Sequence, residues 1–373
     1  MLPPHLYARQ GSDRGYSPSG IRLALQEDAR LRDLGTYPVY SLGHLAHQTG
    51  ASYSYLREVA SRTRDPYKTI PMAKSRGGTR KISAPEPILM DVQRWLLKNV
   101  LPALSVHSAA YAYRPGVSIV QCAEQHIGAR WMVKMDLHDF FGTVSEREVY
   151  YQYRKLGYAK LVAFELARIC TRADGADHSM PLNDNLKIGA YSVDRLGVLP
   201  QGGPTSGYLA NAVAGRLDRL INQFSIQNDL VYTRYSDDIA ISGAGRFERT
   251  TGVGVIREIS RVMHISGFIP HHSKTRIIPP GARKIILGLQ VDNSVRLLPE
   301  SRRKIEVHLR GCEKFGLGDH AAHRGFRSVF SFVDHLEGWI AFAFGVEPDR
   351  ASQWRIRLRA VMEREGLSEL AQI

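Results

Sequence analysis

The sequence predicts an α+β fold, and three features carry that reading. Two short runs with the apolar, β-branched character of buried strands, residues 131–137 and 230–242, each deliver carboxylates where the run meets a turn. Helical periodicities separate them, and the section from about residue 299 onward is basic and mostly helical. Along the chain, residues 11–20 are rich in Gly, Ser and Pro, and apolar residues then recur at helical spacing through Leu42, Leu45, Leu56 and Val59. Residues 1–65 are therefore expected to be an N-terminal helical segment. Within it, residues 46–56 faintly resemble a helix-turn-helix, but two short helices joined at Gly50 are more commonly plain scaffold. Residues 67–82 give two strand-like pieces around Gly77-Gly78, loaded with Lys74, Arg76, Arg80 and Lys81: a basic hairpin. Residues 88–101 repeat apolar positions at helical spacing (Met90, Val92, Trp95, Leu96, Val100) up to Pro102, and a further helix is expected over 208–224. The polar stretch 171–197 reads as an inserted surface loop.

The chain has 373 residues, and Lys plus Arg outnumber Asp plus Glu by 50 to 36, a formal charge of +14. Such a balance favours a polyanionic partner, nucleic acid first and an anionic membrane surface second. Cys122, Cys170 and Cys312 lie far apart with no CxxC pair, so neither a zinc site nor a disulfide framework is expected, and a reducing compartment fits. The N-terminus lacks a secretory signal pattern, and apolar stretches such as 339–346 fall short of membrane-spanning length. A soluble, cytoplasmic protein with no membrane partner is the expectation.

The sharpest chemical signal is Tyr235-Ser236-Asp237-Asp238, set between Val231-Tyr232 and Ile239-Ala240-Ile241. Two β-prone runs around adjacent acids form a hairpin with carboxylates at its tip, where oxygen ligands can reach hard cations. Asp136, ending the run Val133-Lys134-Met135, would complete a cage for two magnesium ions. Such a pair supports in-line phosphoryl transfer. Taken alone, Asp237-Asp238 could equally be a solvated turn.

The acids do not stand alone. Arg80, Asp136, the run Leu199-Pro200-Gln201-Gly202-Gly203-Pro204-Thr205-Ser206, Tyr235 to Asp238, and Lys274 follow one another along the chain. In this order and approximate spacing they resemble the successive motifs of reverse transcriptases, over about residues 67–292. The resemblance implies a right-hand polymerase fold, with fingers and palm over 66–295 and a helical basic thumb over 296–373. It implies an RNA-directed DNA polymerase. By the same resemblance, Asp136, Asp237 and Asp238 hold the magnesium ions; Lys74 and Arg80 meet the triphosphate of an incoming deoxynucleotide; Gln201 and Tyr235 belong to the nucleotide site. Lys274 is placed to protonate pyrophosphate. Phe141, five residues past Asp136, stands at the family's steric gate, where a rigid ring excludes a 2′-hydroxyl. Its neighbour Phe140 has core packing as the simpler reading. Gly288, in the strand-like run 285–291, falls in the hairpin that grips the primer end, and Arg302 and Arg303 in the thumb section would meet nucleic acid.

The surrounding text looks most like bacterial retron reverse transcriptases: Ile82-Ser83-Ala84-Pro85, Tyr113-Arg114-Pro115-Gly116, and Cys122-Ala123-Glu124-Gln125-His126 leading into Asp136-Leu137-His138-Asp139-Phe140-Phe141. This likeness implies a structured non-coding RNA as template and primer, an RNA–DNA duplex as product, priming from a 2′-hydroxyl, a role in anti-phage defence, an effector or toxin protein as a further partner, and His126 near the RNA. The length also suggests no room for an RNase H or endonuclease domain. Three departures stand out: Cys122 in place of an Asn, Ile286-Leu287-Gly288 in place of Val-Thr-Gly, and Gly207 where a proline commonly follows Pro-Thr-Ser. A non-retron defence-associated reverse transcriptase and a catalytically silent RNA-binding scaffold stay open as alternatives, while Phe141 disfavours an RNA-templated RNA polymerase.

Overall fold

A computed structural model describes residues 4–73, 77–173 and 196–367. Lys74 and nearly all of the predicted insertion over 171–197 lie outside them. The chain opens with α1 (Pro4–Asp13), α2 (Pro18–Asp33), α3 (Leu42–Thr49) and α4 (Tyr53–Ser61). Ser17, Ser41 and Ser52 each cap a helix by accepting a backbone N–H, from Gly20, His44 and Tyr55. Gly50 closes α3 at φ 72°, a left-handed conformation that glycine adopts without strain. Leu45, Leu56, Val59 and Ala60 are buried, so the two helices flanking Gly50 serve as scaffold.

The basic hairpin follows as β1 (Tyr67–Ala73) and β2 (Thr79–Pro85), paired antiparallel from Tyr67↔Pro85 to Ala73↔Thr79. Then come α5 (Pro87–Asn99), which begins on a proline that needs no donor there, and a short 3₁₀ turn, Leu101–Ala103. The expected helix end at Pro102 thus falls two residues early. Next are α6 (Ile119–Glu124), β3 (Trp131–Asp136), α7 (Glu146–Lys155) and α8 (Lys160–Cys170). Reciprocal capping boxes, Ser118 with Gln121 and Ser145 with Glu148, start α6 and α7.

The single helix expected over 208–224 is two, α9 (Ser206–Val213) and α10 (Gly215–Gln227), which join at Ala214. The hairpin β4 (Leu230–Tyr235) and β5 (Asp238–Gly243) is followed by α11 (Arg249–Ile265) and β6 (Arg276–Ile278). These strands form one antiparallel sheet in the order β4-β5-β3-β6. A second, three-stranded sheet comprises β7 (Ile285–Ile286), β8 (Leu289–Val291) and β9 (Val295–Leu297), and α12 (Pro299–Phe315), α13 (Leu317–His323), α14 (Val329–Phe344) and α15 (Pro348–Arg364) complete the chain.

The central sheet is buried on both faces, and strand alternation decides which core each residue joins. Trp131, Val133 and Met135 of β3, with Ile239 and Ile241 of β5, enter the larger core beneath α5, α8, α10 and α11. Met132 and Ala240 point the other way, into a core shared by α6, the β7–β9 sheet and the C-terminal helices. Strand β9 crosses residue 296, where the thumb was expected to begin. Among the described residues no helix is long and apolar enough to cross a membrane.

Candidate active site

Tyr235 and Asp238 are the last cross-strand pair of the β4–β5 hairpin, which leaves Ser236 and Asp237 as a two-residue turn. Ser236 takes a left-handed φ of 58°, the conformation that tight hairpins require and that a serine adopts only under tertiary constraint. The constraint is visible. Arg234 and Asp218 are both fully buried; the Arg234 guanidinium grips the Asp218 carboxylate through Nε and Nη2, each at 2.7 Å. Its remaining Nη1 donates to Asn211 Oδ1 at 2.9 Å and to the Ser236 carbonyl at 2.8 Å. Tyr232 also donates to Asp218, at 2.7 Å. One buried cation thus ties α9, α10 and β4 to the turn.

On the neighbouring strand Asp136 lies directly across from Asp238, and Leu137 N–H donates to the Asp237 carbonyl at 3.0 Å. This register brings the three predicted carboxylates to one sheet end. Lys274, in a 3₁₀ turn, donates to both Asp136 oxygens at 2.8 and 2.9 Å, and His271 N–H donates to the Asp136 carbonyl. Burial pushes the Asp136 carboxyl above the usual carboxylate range; the Lys274 bond opposes this and the Asp237 charge adds to it. Asp238 is raised by desolvation and then by Asp237, although its side chain opens to solvent, which screens both effects.

The acids line a cleft of about 930 Å³. Around it stand Arg80 and Lys81 of β2, Tyr113, Phe140 and Phe141, Arg172, Gln201, Tyr235, His271, Lys274 and Leu287. The cleft therefore gathers Asp136, Asp237, Asp238, Lys274, Arg80, Phe141, Gln201 and Tyr235. Phe140 is buried beneath the Arg234 guanidinium, whereas Phe141 is half-buried at the wall. Gln201 reaches the cleft because its backbone is pinned: its carbonyl accepts the Ser83 N–H at 2.7 Å, and a Cβ on Gly202 would lie 2.8 Å from the Ser83 oxygen. Gly288, with Leu287 at φ 49° before it, makes an exposed turn between β7 and β8, and Leu287 extends that hairpin into the cleft. Asp139, kept out of the metal set by sequence, takes φ 46° and folds back over Gly142.

The expected position of His126 near RNA is corrected. His126 is 1% exposed, its nitrogens bonded to Ser242 Oγ at 2.7 Å and Thr233 Oγ1 at 2.8 Å, and burial pushes its imidazole down to about 4. It is a neutral clamp joining the turn after α6 to β4 and β5. Arg302 bonds the Glu347 carboxylate at the start of α15, while Arg303 is exposed beside Lys304. Several cleft residues were given no role from the sequence, Arg172 and Tyr113 among them. Arg172 spans from Asp65 to Thr69 and Ser83, fixing the root of the basic hairpin, and Tyr113 approaches Phe141 and Ser236. For Tyr113 the available signal was its neighbour text Arg114-Pro115-Gly116.

For a divalent cation the donor chemistry fits: hard carboxylate oxygens whose mutual repulsion a cation would relieve. Among the described residues no three acidic, histidine or cysteine side chains are gathered tightly enough to hold an ion, and both Asp136 oxygens accept from Lys274.

A palm-like sheet with paired carboxylates at the base of a basic, glycine-approached cleft defines a template-directed nucleotidyl transferase. Residues 70–296 match the reverse transcriptase (RNA-dependent DNA polymerase) family. The chain is 32% identical over 346 residues to the retron Mx162 reverse transcriptase of Myxococcus xanthus, covering 89% of this chain and 69% of that one. It is 26% identical to the retron Ec86 reverse transcriptase of Escherichia coli, over 85% and 88% of the two chains, and 30% identical to the retron Mx65 enzyme of M. xanthus, over 89% and 74%. The chain belongs to the reverse transcriptase family, and to its bacterial retron type; it is an RNA-directed DNA polymerase. As such it copies an RNA template and uses divalent metal ions.

Proposed function

We propose that this enzyme copies part of a cognate structured non-coding RNA into DNA, using two magnesium ions held by Asp136, Asp237 and Asp238. The observation that carries the reading is the register of β3 against β5, which sets Asp136 across from Asp238 in a cleft that Arg80, Phe141 and Gln201 also line. Magnesium, when bound, activates the primer hydroxyl and neutralises the departing pyrophosphate. The chain's own residues do the rest. Arg80 neutralises the incoming deoxynucleoside triphosphate, aided by Lys74, which lies outside the described residues. Gln201 and Tyr235 border the nucleotide, and the Phe141 ring excludes a ribose 2′-hydroxyl. Lys274 shields Asp136 and can yield its proton to pyrophosphate. Gly288 and Leu287 support the primer end. Arg303 meets the nucleic-acid backbone from the thumb, and Arg302 supports that surface from its bond to Glu347.

We infer the same three-part division the sequence suggested, a site of action in the cytoplasm, an anti-phage role, and an effector protein as further partner. We infer further that a 2′-hydroxyl within the enzyme's own RNA serves as primer, as the retron-like sequence implies.

The test is substitution without loss of fold. Asp237→Asn and Asp238→Asn should abolish primer extension while RNA binding stays within about twofold of the parent, because metal charge is lost and the groove is not. Normal extension by either variant rejects the assignment. Sequencing the RNA that copurifies should find one dominant structured species joined to DNA; a broad transcript sample would leave a reverse transcriptase without a cognate RNA.

A further inference from the structure

We infer that Tyr113 is a positioning residue for sugar selectivity: its ring is the backstop that keeps Phe141 in the cleft wall, and Gly207 exists as glycine to receive it. The inference rests on the reading of Phe141 as the gate and names what holds that gate in place.

Four observations converge on Tyr113. Its backbone takes a φ of 57°, unusual for a bulky residue and sustained only where the surroundings fix it. They do: Tyr111 N–H donates to the Arg234 carbonyl at 2.8 Å, Asn211 donates to the Ala112 carbonyl at 2.6 Å, and Arg114 donates to the Ser108 and Ala110 carbonyls at 3.0 Å. The conformation throws the ring across the start of α9. There a Cβ on Gly207 would lie 2.5 Å from Tyr113 Cδ1, a distance no side chain tolerates, so the ring rests directly on the helix backbone.

From that seat Tyr113 touches two parts of the site. Its hydroxyl is 3.1 Å from Ser236 Oγ, beside Asp237 in the catalytic turn. Its ring centroid is 6.0 Å from that of Phe141, at 61°, an edge contact. Phe141 also packs against Phe140, 5.6 Å away, which is itself immobilised in the core. A gate discriminates by refusing to yield when a 2′-hydroxyl presses on it. Phe140 and Tyr113 are the two rings that Phe141 would have to displace to yield.

The experiment compares incorporation of a deoxynucleotide and its matching ribonucleotide by the full chain with its RNA, read as a ratio of catalytic efficiencies. The variants are Phe141→Ala, Tyr113→Ala, Tyr113→Phe, Gly207→Ala and the Tyr113→Ala/Gly207→Ala double. Tyr113→Ala and Gly207→Ala should each lower discrimination roughly tenfold, through a lower KM for the ribonucleotide, because both free the Phe141 ring. General damage would depress both substrates and leave the ratio alone. Tyr113→Phe should keep the parent ratio, since the ring is retained. The double variant should match Tyr113→Ala, because the atoms nearest the added methyl all belong to the ring that is removed. If Phe141→Ala relaxes discrimination while Tyr113→Ala does not, the backstop is rejected and the gate survives. An unchanged ratio in Phe141→Ala rejects both. Equal losses in Tyr113→Phe and Tyr113→Ala would assign the effect to the Ser236 bond and overturn the ring's role. Should Gly207→Ala fail to fold, Tyr113→Ala still decides.

Discussion

Removing Arg234 should separate what holds the catalytic turn from what holds the fold. The guanidinium makes four hydrogen bonds at 2.7–2.9 Å with no solvent access, two to Asp218, one to Asn211 and one to the Ser236 carbonyl. In Arg234→Met the Asp218 carboxylate keeps only the Tyr232 hydroxyl as a partner in place of a buried cation, and breaking such a pair costs about 3–5 kcal/mol. Against a total stability of about 5–15 kcal/mol, urea unfolding should shift far enough to measure and leave a folded protein near room temperature. Replacing the charged pair and its tyrosine with Arg234→Met, Asp218→Leu and Tyr232→Phe removes the stranded charge, so most of the lost stability should return. Nucleotide addition should not return with it. The Ser236 carbonyl still lacks its donor, the turn carrying Asp237 loosens, and a displacement near 1 Å lowers the single-turnover rate by about 100-fold. Rapid-quench addition of one deoxynucleotide gives that rate. If Arg234→Met costs under about 1 kcal/mol, or if the triple variant regains the parental rate, the turn is not held as described.

Protonation supplies another check. Because the fold raises the Asp238 carboxyl above its unfolded value of about 3.9, the metal-free protein is penalised once that group ionises and relieved as pH falls through the raised value. In chelator, Asp238→Asn should therefore unfold at a higher temperature than the parent at neutral pH, with the gap closing toward acid; a constant gap contradicts this. In the thumb, Arg303→Glu should weaken RNA binding and lower the slope of log affinity against log salt by about 1, while Arg302→Glu, placed against Glu347, should mainly lower the unfolding temperature. Titrations at several salt concentrations, run beside thermal melts, distinguish the two.

The sequence revealed the strands that carry acids most clearly, since a buried strand ending in carboxylates has few readings. The basic hairpin and the helix after it were legible for the same reason, their periods matching their structures. The break between α9 and α10 was not, because the apolar pattern continues through Ala214 and only the local backbone departs from it. Arg234 was passed over as part of a strand flank: a buried arginine is indistinguishable from a surface cation until its partners, 16 and 23 residues earlier in the chain, are known. His126 misled in the opposite direction. The resemblance alone set it near RNA, whereas Ser242 and Thr233, more than 100 residues away, take both nitrogens.

The sheet order β4-β5-β3-β6 has a consequence for the nascent chain. Strand β3 is synthesised first yet lies in the interior of the sheet, between β5 and β6. At a translation rate of about 5–20 residues per second, the roughly 100 residues to β5 keep one edge of β3 without its ladder for on the order of 5–20 s, and β6 follows later still. Trp131, Met132, Val133 and Met135 make that waiting segment apolar on both faces, the composition that invites pairing with another copy. Arg130 before it, Lys134 within it and Asp136 at its end interrupt the run with charge, as gatekeepers do in aggregation-prone strands. The aspartate that serves the cleft in the finished enzyme thus stands guard on the ribosome-bound one.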